Sequence, residues 1–567
     1  MTNKALARHL ALAADLVELS GGNAFRSRAF AQAARAVERL DRPAEPLVLD
    51  GTITDVPGIG RGLAADLAEF VATGTTRTVT GLLEALPPGI PDILRVKGLG
   101  VKKVRQLWHE AGVVSLDSLE VAAASGRLAD LGGFGDKTVQ NILASIEQLR
   151  SYAGRAHLRD AWREARSVCE VLHAAGFEAE PAGEVRRQCN VVAQVEVVAA
   201  GALLAVSQAL RAAGLAPRPD AGDVGEAPAG GVPPGGDQSV AATLPNGQGL
   251  TVWTVAPERF ARALWSHTGP AEHVAAVEAR ATADVFSAAT TEDAIYAAAG
   301  LATIPPPLRD DDWFTEAEAG TLPALVGTAD LRGTVHNHTT ASDGAHTLRE
   351  MAEAAHARGL GYFGVCDHSQ SLKIANGLTP ARLEAQIADV AALNAEGGPV
   401  RVFSGSEVDI LADGRMDFSD ELLARLDVVV ASVHQGFNMS VDEATARVVR
   451  AVSNPHVDIL GHATGRLLLR REGYPLDHEA VLDACAAHGV AVELNANPWR
   501  LDMDWAFIRA ARARGLYISV NPDAHAADGL DDTAWGVASA QKGGLTAEGS
   551  LTSLDADAFA AWLAARG

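Results

Sequence analysis

The chain has 567 residues, 48% of them hydrophobic and 21% charged, with a net charge of −23. That length exceeds a single core and implies roughly three to five domains of soluble, globular type. No apolar run approaches the roughly 18 residues of a membrane span, and the N-terminus has no signal-peptide pattern, so no membrane partner and a cytoplasmic, nucleoid-associated location are expected. The cysteines Cys169, Cys189, Cys366 and Cys485 are far apart and form no CxxC, which fits a reduced compartment better than a disulfide framework. The acidic total argues against nucleic-acid binding by the chain as a whole. Residues 1–150, however, carry 17 Lys and Arg against 17 Asp and Glu, so all the excess acid lies in 151–567. Local patches decide affinity for phosphate.

Residues 1–50 have apolar positions at helical spacing, with Arg26, Arg28 and Arg35 on one stretch. Those arginines suit either a DNA groove or a solvated helix face. A repeat follows: ITDVPGIG (53–60), ILRVKGLG (93–100) and LADLGGFG (128–135) share apolar and glycine positions, and each leads into a helical stretch. Paired glycines let a backbone approach phosphate closely, and the following helix start offers free N–H groups. The repeats resemble helix-hairpin-helix motifs, which hold the DNA backbone without reading sequence. The residues expected to bind DNA are Gly58, Gly60, Lys97, Gly98, Gly100, Lys102, Lys103, Gly133, Gly135 and Lys137.

The stretch SVCEVLHAAGFEAEPAGEVRRQCNVVAQVEVV reads as helix, turn and strand. With the upstream repeats it resembles the palm of a family X DNA polymerase, whose pattern is Gly-Ser, Arg-Arg and then Asp-x-Asp. Gly183, Arg186 and Arg187 match, and with Gly269 in SHTGP they would hold a deoxynucleoside triphosphate. Glu184 replaces the serine, and the two aspartate positions fall on Gln194 and Glu196. The third carboxylate position falls on Thr251. Glu196 is thus the one catalytic acid left for magnesium or manganese, which require anionic oxygen. Glu226 and Asp237 lie nearby as alternative acids. Residues 217–238 read as a mobile Pro/Gly-rich loop, and 256–320 as helical. No lysine occurs between Lys4 and Lys97, which argues against Schiff-base removal of sugar-phosphate remnants.

From residue 330 onward, imidazoles and carboxylates follow short apolar runs separated by helix-like stretches. They are His336, His338, Asp343, His368, Glu407, His434, His462, Asp523 and His525. His336 and His338 alternate on an apparent strand, so both point the same way. A single histidine is more often a hydrogen-bonded core residue than a ligand. Nine such residues after successive strands instead suggest the C-terminal face of a β/α barrel, with ligands suited to zinc, manganese or iron. The set resembles the polymerase and histidinol phosphatase (PHP) domain over all of 330–567, with Thr334 standing where that family often has Asp. The resemblance implies a distorted (β/α)7 barrel holding two or three divalent metals, zinc or manganese. Glu407 would bridge metals and take part in catalysis with His434. Arg466 is a candidate phosphate clamp or a salt-bridge residue, and Asp367 and Glu493 are candidate orienters of the ligands.

The order resembles that of bacterial family X DNA polymerases, a multidomain α, α+β and β/α architecture. The expected divisions are 1–80 (helical, first hairpin), 81–150 (fingers with two hairpins), 151–255 (palm), 256–325 (thumb) and 326–567 (PHP). A monomer acting on gapped or 3′-recessed DNA is expected. Three functions stay open: a PHP nuclease (3′→5′ exonuclease or abasic-site type) with a weak or manganese-dependent polymerase, a fully competent gap-filling polymerase, or a DNA-binding scaffold with a small-molecule phosphomonoesterase.

Overall fold

A computed structural model describes residues 3–566 except 39, 41–43, 129–130, 216–236, 282–285 and 287–288. Most of the Pro/Gly-rich loop, with Glu226, and two residues of the third glycine repeat lie outside the described residues, as does the Lys4 side chain. The chain divides into two compact units, Met1–Ala153 and Gly154–Gly567.

The first unit is helical and closes over its own apolar core, which includes Leu10, Ile53, Ile93, Leu107 and Ile142. The three glycine repeats adopt one geometry. Gly58, Gly98 and Gly133 have φ of 95°, 86° and 91°, a left-handed conformation that costs other residues strain. Gly60, Gly100 and Gly135 are the extended N-caps of helices Arg61–Thr73, Val101–Ala111 and Asp136–Tyr152, with no side-chain cap. A Cβ on any of these six would meet nothing within 4 Å, so each turn presents bare backbone. Between each pair an apolar residue (Ile59, Leu99 or Phe134) is buried and anchors the turn. Lys97, Lys102 and Lys137 are exposed, whereas Lys103 is half-buried with its ammonium 5.4 Å from the Phe134 ring.

The second unit starts with strand β1 (Ala156–His157), paired with β3 (Val191–Val192). Its four-stranded sheet has the order β2 (Glu178–Ala182), β4 (Gln194–Ala200), β6 (Gly249–Val255), β5 (Gln238–Thr243). The stretch after Gly183 is a short helix, Gly183–Arg186, and not the direct lead into a strand that its sequence suggests. Helix Leu158–Ala174 covers one face with Leu158, Ala161, Ala165, Val168 and Leu172, an i, i+3, i+4 stripe.

Seven parallel strands follow: β7 (Gly333–Thr334), β8 (Tyr362–Val365), β9 (Arg401–Asp409), β10 (Val428–Ser432), β11 (Ile459–Leu460), β12 (Ala491–Asn495) and β13 (Ile518–Asn521). They neighbour one another in chain order. A bridge between Asn337 and Ala524, just past β7 and β13, brings the two ends together, so the barrel nearly closes. β7 is shorter than the sequence suggests: His336 and His338 lie beyond its end. Helix Thr533–Lys542 turns back onto the first sheet, where Trp535 and Ala538 pack against its core. This joins the sheet and barrel through apolar burial.

Candidate metal centre and the palm

Each candidate ligand of the barrel sits at or just after the C-terminal end of a strand, because parallel β/α units place their connecting loops on one face. Glu407 on β9 is the focus. Its Oε2 lies 2.7 Å from His368 Nδ1, 3.4 Å from His336 Nε2 and 3.7 Å from His338 Nε2. Its Oε1 lies 2.8 Å from His462 Nε2 and 3.2 Å from His434 Nε2. Five imidazoles thus surround one buried carboxylate. Asp523 Oδ1 is 3.0 Å from His338 Nε2, and Asp343 Oδ1 is 3.3 Å from His525 Nε2 and 3.5 Å from His368 Nε2. Three groups are compact enough to hold a cation: His338, Asp343, His368 and His525; His336, His338 and Glu407; and His368, Glu407 and His434. Glu407 belongs to two of them.

The donors fit metal ions. Glu407 Oε2, His336 Nε2 and His368 Nδ1 are buried without a hydrogen-bond partner among the described residues. Such orphaned groups are costly unless something else satisfies them. Burial alone would raise Glu407, yet the charges of His434, His336 and His368 hold it well below the usual carboxylate range. Asp523 is likewise held well down, by His336, His338 and His525 against its burial. Burial, then the neighbouring His525 and His368, pushes His338 down to about 4. His434 resists its burial and rises to about 10 because Glu407 and Asp409 face it, and Asp343 and Asp523 bring His525 to about 9.

Two acids fix imidazole orientation from behind. Glu493 on β12 takes His336 Nδ1 at 2.8 Å, and Asp409 takes His434 Nδ1 at 2.5 Å. Each turns the Nε2 atom toward Glu407, the carboxylate–histidine arrangement of metal sites. Asp409 was not singled out by sequence reading, although it lies two residues beyond Glu407 on the same strand face. Asp367 acts differently from the expected imidazole orienter. It accepts from Thr339 N (2.8 Å), Thr339 Oγ1 (2.6 Å), Gln386 Nε2 (2.5 Å) and Ser342 Oγ, which pins the loop that carries Asp343. His462 and Asp523 have φ of 23° and 52°. Left-handed backbone at non-glycine residues collects at functional sites, where surrounding structure compensates the strain.

Arg466, expected as a phosphate clamp or a salt-bridge residue, has partners within the barrel. Its guanidinium donates to Asp504, to Leu501 O and to Arg500 O at 3.0 Å.

The three palm positions do meet on one patch of the first sheet, since Glu196 pairs with Thr251 across β4 and β6. They do not form a cation cradle. The Gln194 amide donates to the Thr251 hydroxyl, joining two of the positions by a neutral hydrogen bond. Glu196 is half-buried, accepts from Trp253 Nε1 at 3.2 Å, and is raised by desolvation. Gly183 (φ 56°) lies so close that a Cβ there would come within 2.0 Å of Glu196 Oε2. The alternative acid Asp237 pairs with Arg259 at 2.9 Å and His267 at 3.1 Å.

Arg186, Arg187 and Gly269, expected to hold phosphate, also have partners within the protein. Arg186 pairs with Glu292 at 2.5 Å and donates to Thr268 Oγ1 at 3.1 Å. Arg187 pairs with Asp310 at 2.9 Å and donates to Thr268 O at 2.6 Å. Lys542, from the barrel helix, also reaches Asp310. The Gly269 N–H is bonded to Trp265 O at 3.1 Å. These donors are engaged within the protein, where Glu292 is shared by Arg186 and Arg309 and Asp310 by Arg187 and Lys542.

Comparison with known proteins agrees with this architecture. A helix-hairpin-helix domain model matches residues 1–76, and a SAM-like helix-hairpin-helix tandem model matches residues 90–148. The DNA polymerase/3′-5′ exonuclease PolX of Bacillus subtilis (strain 168) is 33% identical over 565 residues, covering 96% of each chain. A probable phosphatase of Thermoanaerobacter sp. (strain X514) is 30% identical over 201 residues, 34% of this chain and 77% of the relative. A probable phosphatase of Syntrophotalea carbinolica is 34% identical over 167 residues, 28% of this chain and 64% of the relative. A full-length match to a PolX protein, joined to helix-hairpin-helix repeats and a seven-stranded barrel, means that this chain belongs to the family X DNA polymerases with a C-terminal PHP domain.

Proposed function

We propose that the protein is a DNA-repair nuclease of 3′→5′ exonuclease or abasic-site type, working through the PHP barrel, with a palm that positions DNA and polymerises weakly or only with manganese. The carrying observation is the contrast between the two sites: five imidazoles converge on Glu407, while the palm positions are paired with one another. The nine barrel residues would hold two or three divalent cations, zinc or manganese by their mixed imidazole and carboxylate chemistry. Bound cations would supply Lewis-acid charge and an activated water for attack on phosphorus. Glu407 would link two of the cations, with His434 beside it. Glu493 and Asp409 keep the imidazoles of His336 and His434 turned inward.

Gly58, Gly60, Gly98, Gly100, Gly133 and Gly135 would bring helix N-termini to DNA phosphates, aided by Lys97, Lys102, Lys103 and Lys137. The proposed divisions follow the sequence reading: 1–80, 81–150, 151–255, 256–325 and 326–567. We place the protein in the cytoplasm as a monomer. No helix among the described residues is long and apolar enough to cross a membrane. The phosphatase relatives favour a second reading, hydrolysis of a small phosphomonoester by the same barrel.

The deciding experiment incubates the full chain with labelled 3′-recessed DNA and, separately, with a small phosphomonoester. Divalent-cation-dependent shortening of the DNA, stopped by chelation, supports the nuclease. Phosphomonoester hydrolysis with intact DNA supports the second reading. Cation uptake should also release protons: His434 (about 10) and His525 (about 9) are protonated near pH 7.5 before metal enters, and ligation requires neutral imidazole. His336 is raised well above its ordinary value too, so calorimetry of manganese binding in buffers of different ionisation enthalpy should give a release of about two to three protons per chain. Affinity should rise with pH toward about 10. Absence of proton release would mean that these histidines are already neutral before the cation binds or stand outside the ligand set.

A further inference from the structure

Three large apolar side chains of the barrel are exposed: Ile374 (93%), Val441 (45%) and Trp499 (47%). All three lie on segments that leave the C-terminal ends of strands β8, β10 and β12. They therefore belong to the face that carries the imidazole cluster, and among the described residues the opposite face has none of this kind.

Trp499 sits beside Arg500. The Arg500 Nε atom is 3.9 Å from Asp523 Oδ2, and its guanidinium makes no hydrogen bond to the protein among the described residues. A half-buried guanidinium with its donors unused, next to a candidate ligand, has the geometry to take phosphate oxygens. Trp499 O accepts from Leu468 N at 2.7 Å, which ties this turn to the loop bearing Arg470 and Arg471. Burial, then the charges of Arg500 and Arg470, lowers Arg471, so like charges crowd here. Arg159, which also pairs with Asp160 and Asp532, places its guanidinium 5.1 Å from the Trp499 ring centroid. Cations grouped around an exposed indole match a nucleic-acid strand, whose phosphates need charge and whose bases stack on aromatic rings.

We propose that Trp499 stacks on the 3′-terminal base of a DNA strand while Arg500 holds the phosphate next to the PHP site. This rests on the nuclease reading and specifies which part of DNA the barrel grips. Stacking on one aromatic residue is worth enough to change affinity by about tenfold. Arg500 would serve any phosphoester, and Trp499 only one with a base attached.

A single-stranded oligonucleotide ending in 2-aminopurine tests this with the full chain in EDTA, where no cleavage occurs. Binding should quench the fluorophore, Trp499→Ala should remove the quench, and Trp499→Phe should retain most of it. In manganese, Trp499→Ala should lower kcat/KM on the oligonucleotide about tenfold more than on bis(p-nitrophenyl) phosphate. Arg500→Lys should lower kcat/KM on both substrates and weaken inhibition by inorganic phosphate. An unchanged quench in Trp499→Ala, or equal losses on the two esters, would overturn the stacking role while wild-type DNA shortening left the nuclease reading intact. Ester hydrolysis without DNA shortening by the wild type would overturn the nuclease reading and this inference with it.

Discussion

Glu407→Gln should reduce shortening of 3′-recessed DNA by on the order of 10³-fold and lower the bound metal. The amide has nearly the same shape, so the fold should persist. It lacks the charge that balances five imidazoles and cannot serve two cations as a carboxylate does. His336→Ala should have a comparable effect, since it removes a buried ring held by Glu493. Thermal unfolding and elemental analysis of each variant separate loss of the site from loss of the fold. Near-normal shortening of DNA by either well-folded variant would place the nuclease outside the barrel.

Primer extension on gapped DNA with magnesium should be near background, roughly 10⁴-fold below a complete three-carboxylate site, taking about 10² for each missing acid. Manganese should permit weak extension at most, and Glu196→Gln should abolish what remains. The reason is local: Gln194 and Thr251 satisfy each other, and desolvation favours the neutral form of Glu196. Glu292 and Asp310 also occupy the arginines that should meet the triphosphate. Robust extension with magnesium, unaffected by Glu196→Gln, would overturn this assignment of the palm and favour a fully competent polymerase.

The sequence by itself determined the architecture and most of the barrel cluster. Its signals are local: glycine pairs that require a left-handed turn, and apolar runs followed by imidazole or carboxylate. Parallel β/α order carries such strand-end residues to one face without further information, which is why the nine residues meet around Glu407 and Asp523. The motif residues of the palm were equally legible, because β4 and β6 set Gln194, Glu196 and Thr251 on one patch.

Only the tertiary structure decided what the cationic side chains do. Arg186 and Arg187 look free in the sequence, but their partners Glu292 and Asp310 lie more than 100 residues away, and Lys542 arrives from the barrel. Arg466 is taken up by Asp504 and backbone carbonyls, whereas Arg500 has only its 3.9 Å approach to Asp523. A charged side chain's role depends on which counter-charge the fold brings within a few ångströms, since Coulomb energy falls with distance and burial magnifies it. Neither residue type nor spacing encodes that pairing. Asp409 and Arg500 acquired their places, and Arg186, Arg187 and Arg466 their counter-charges, through long-range packing alone.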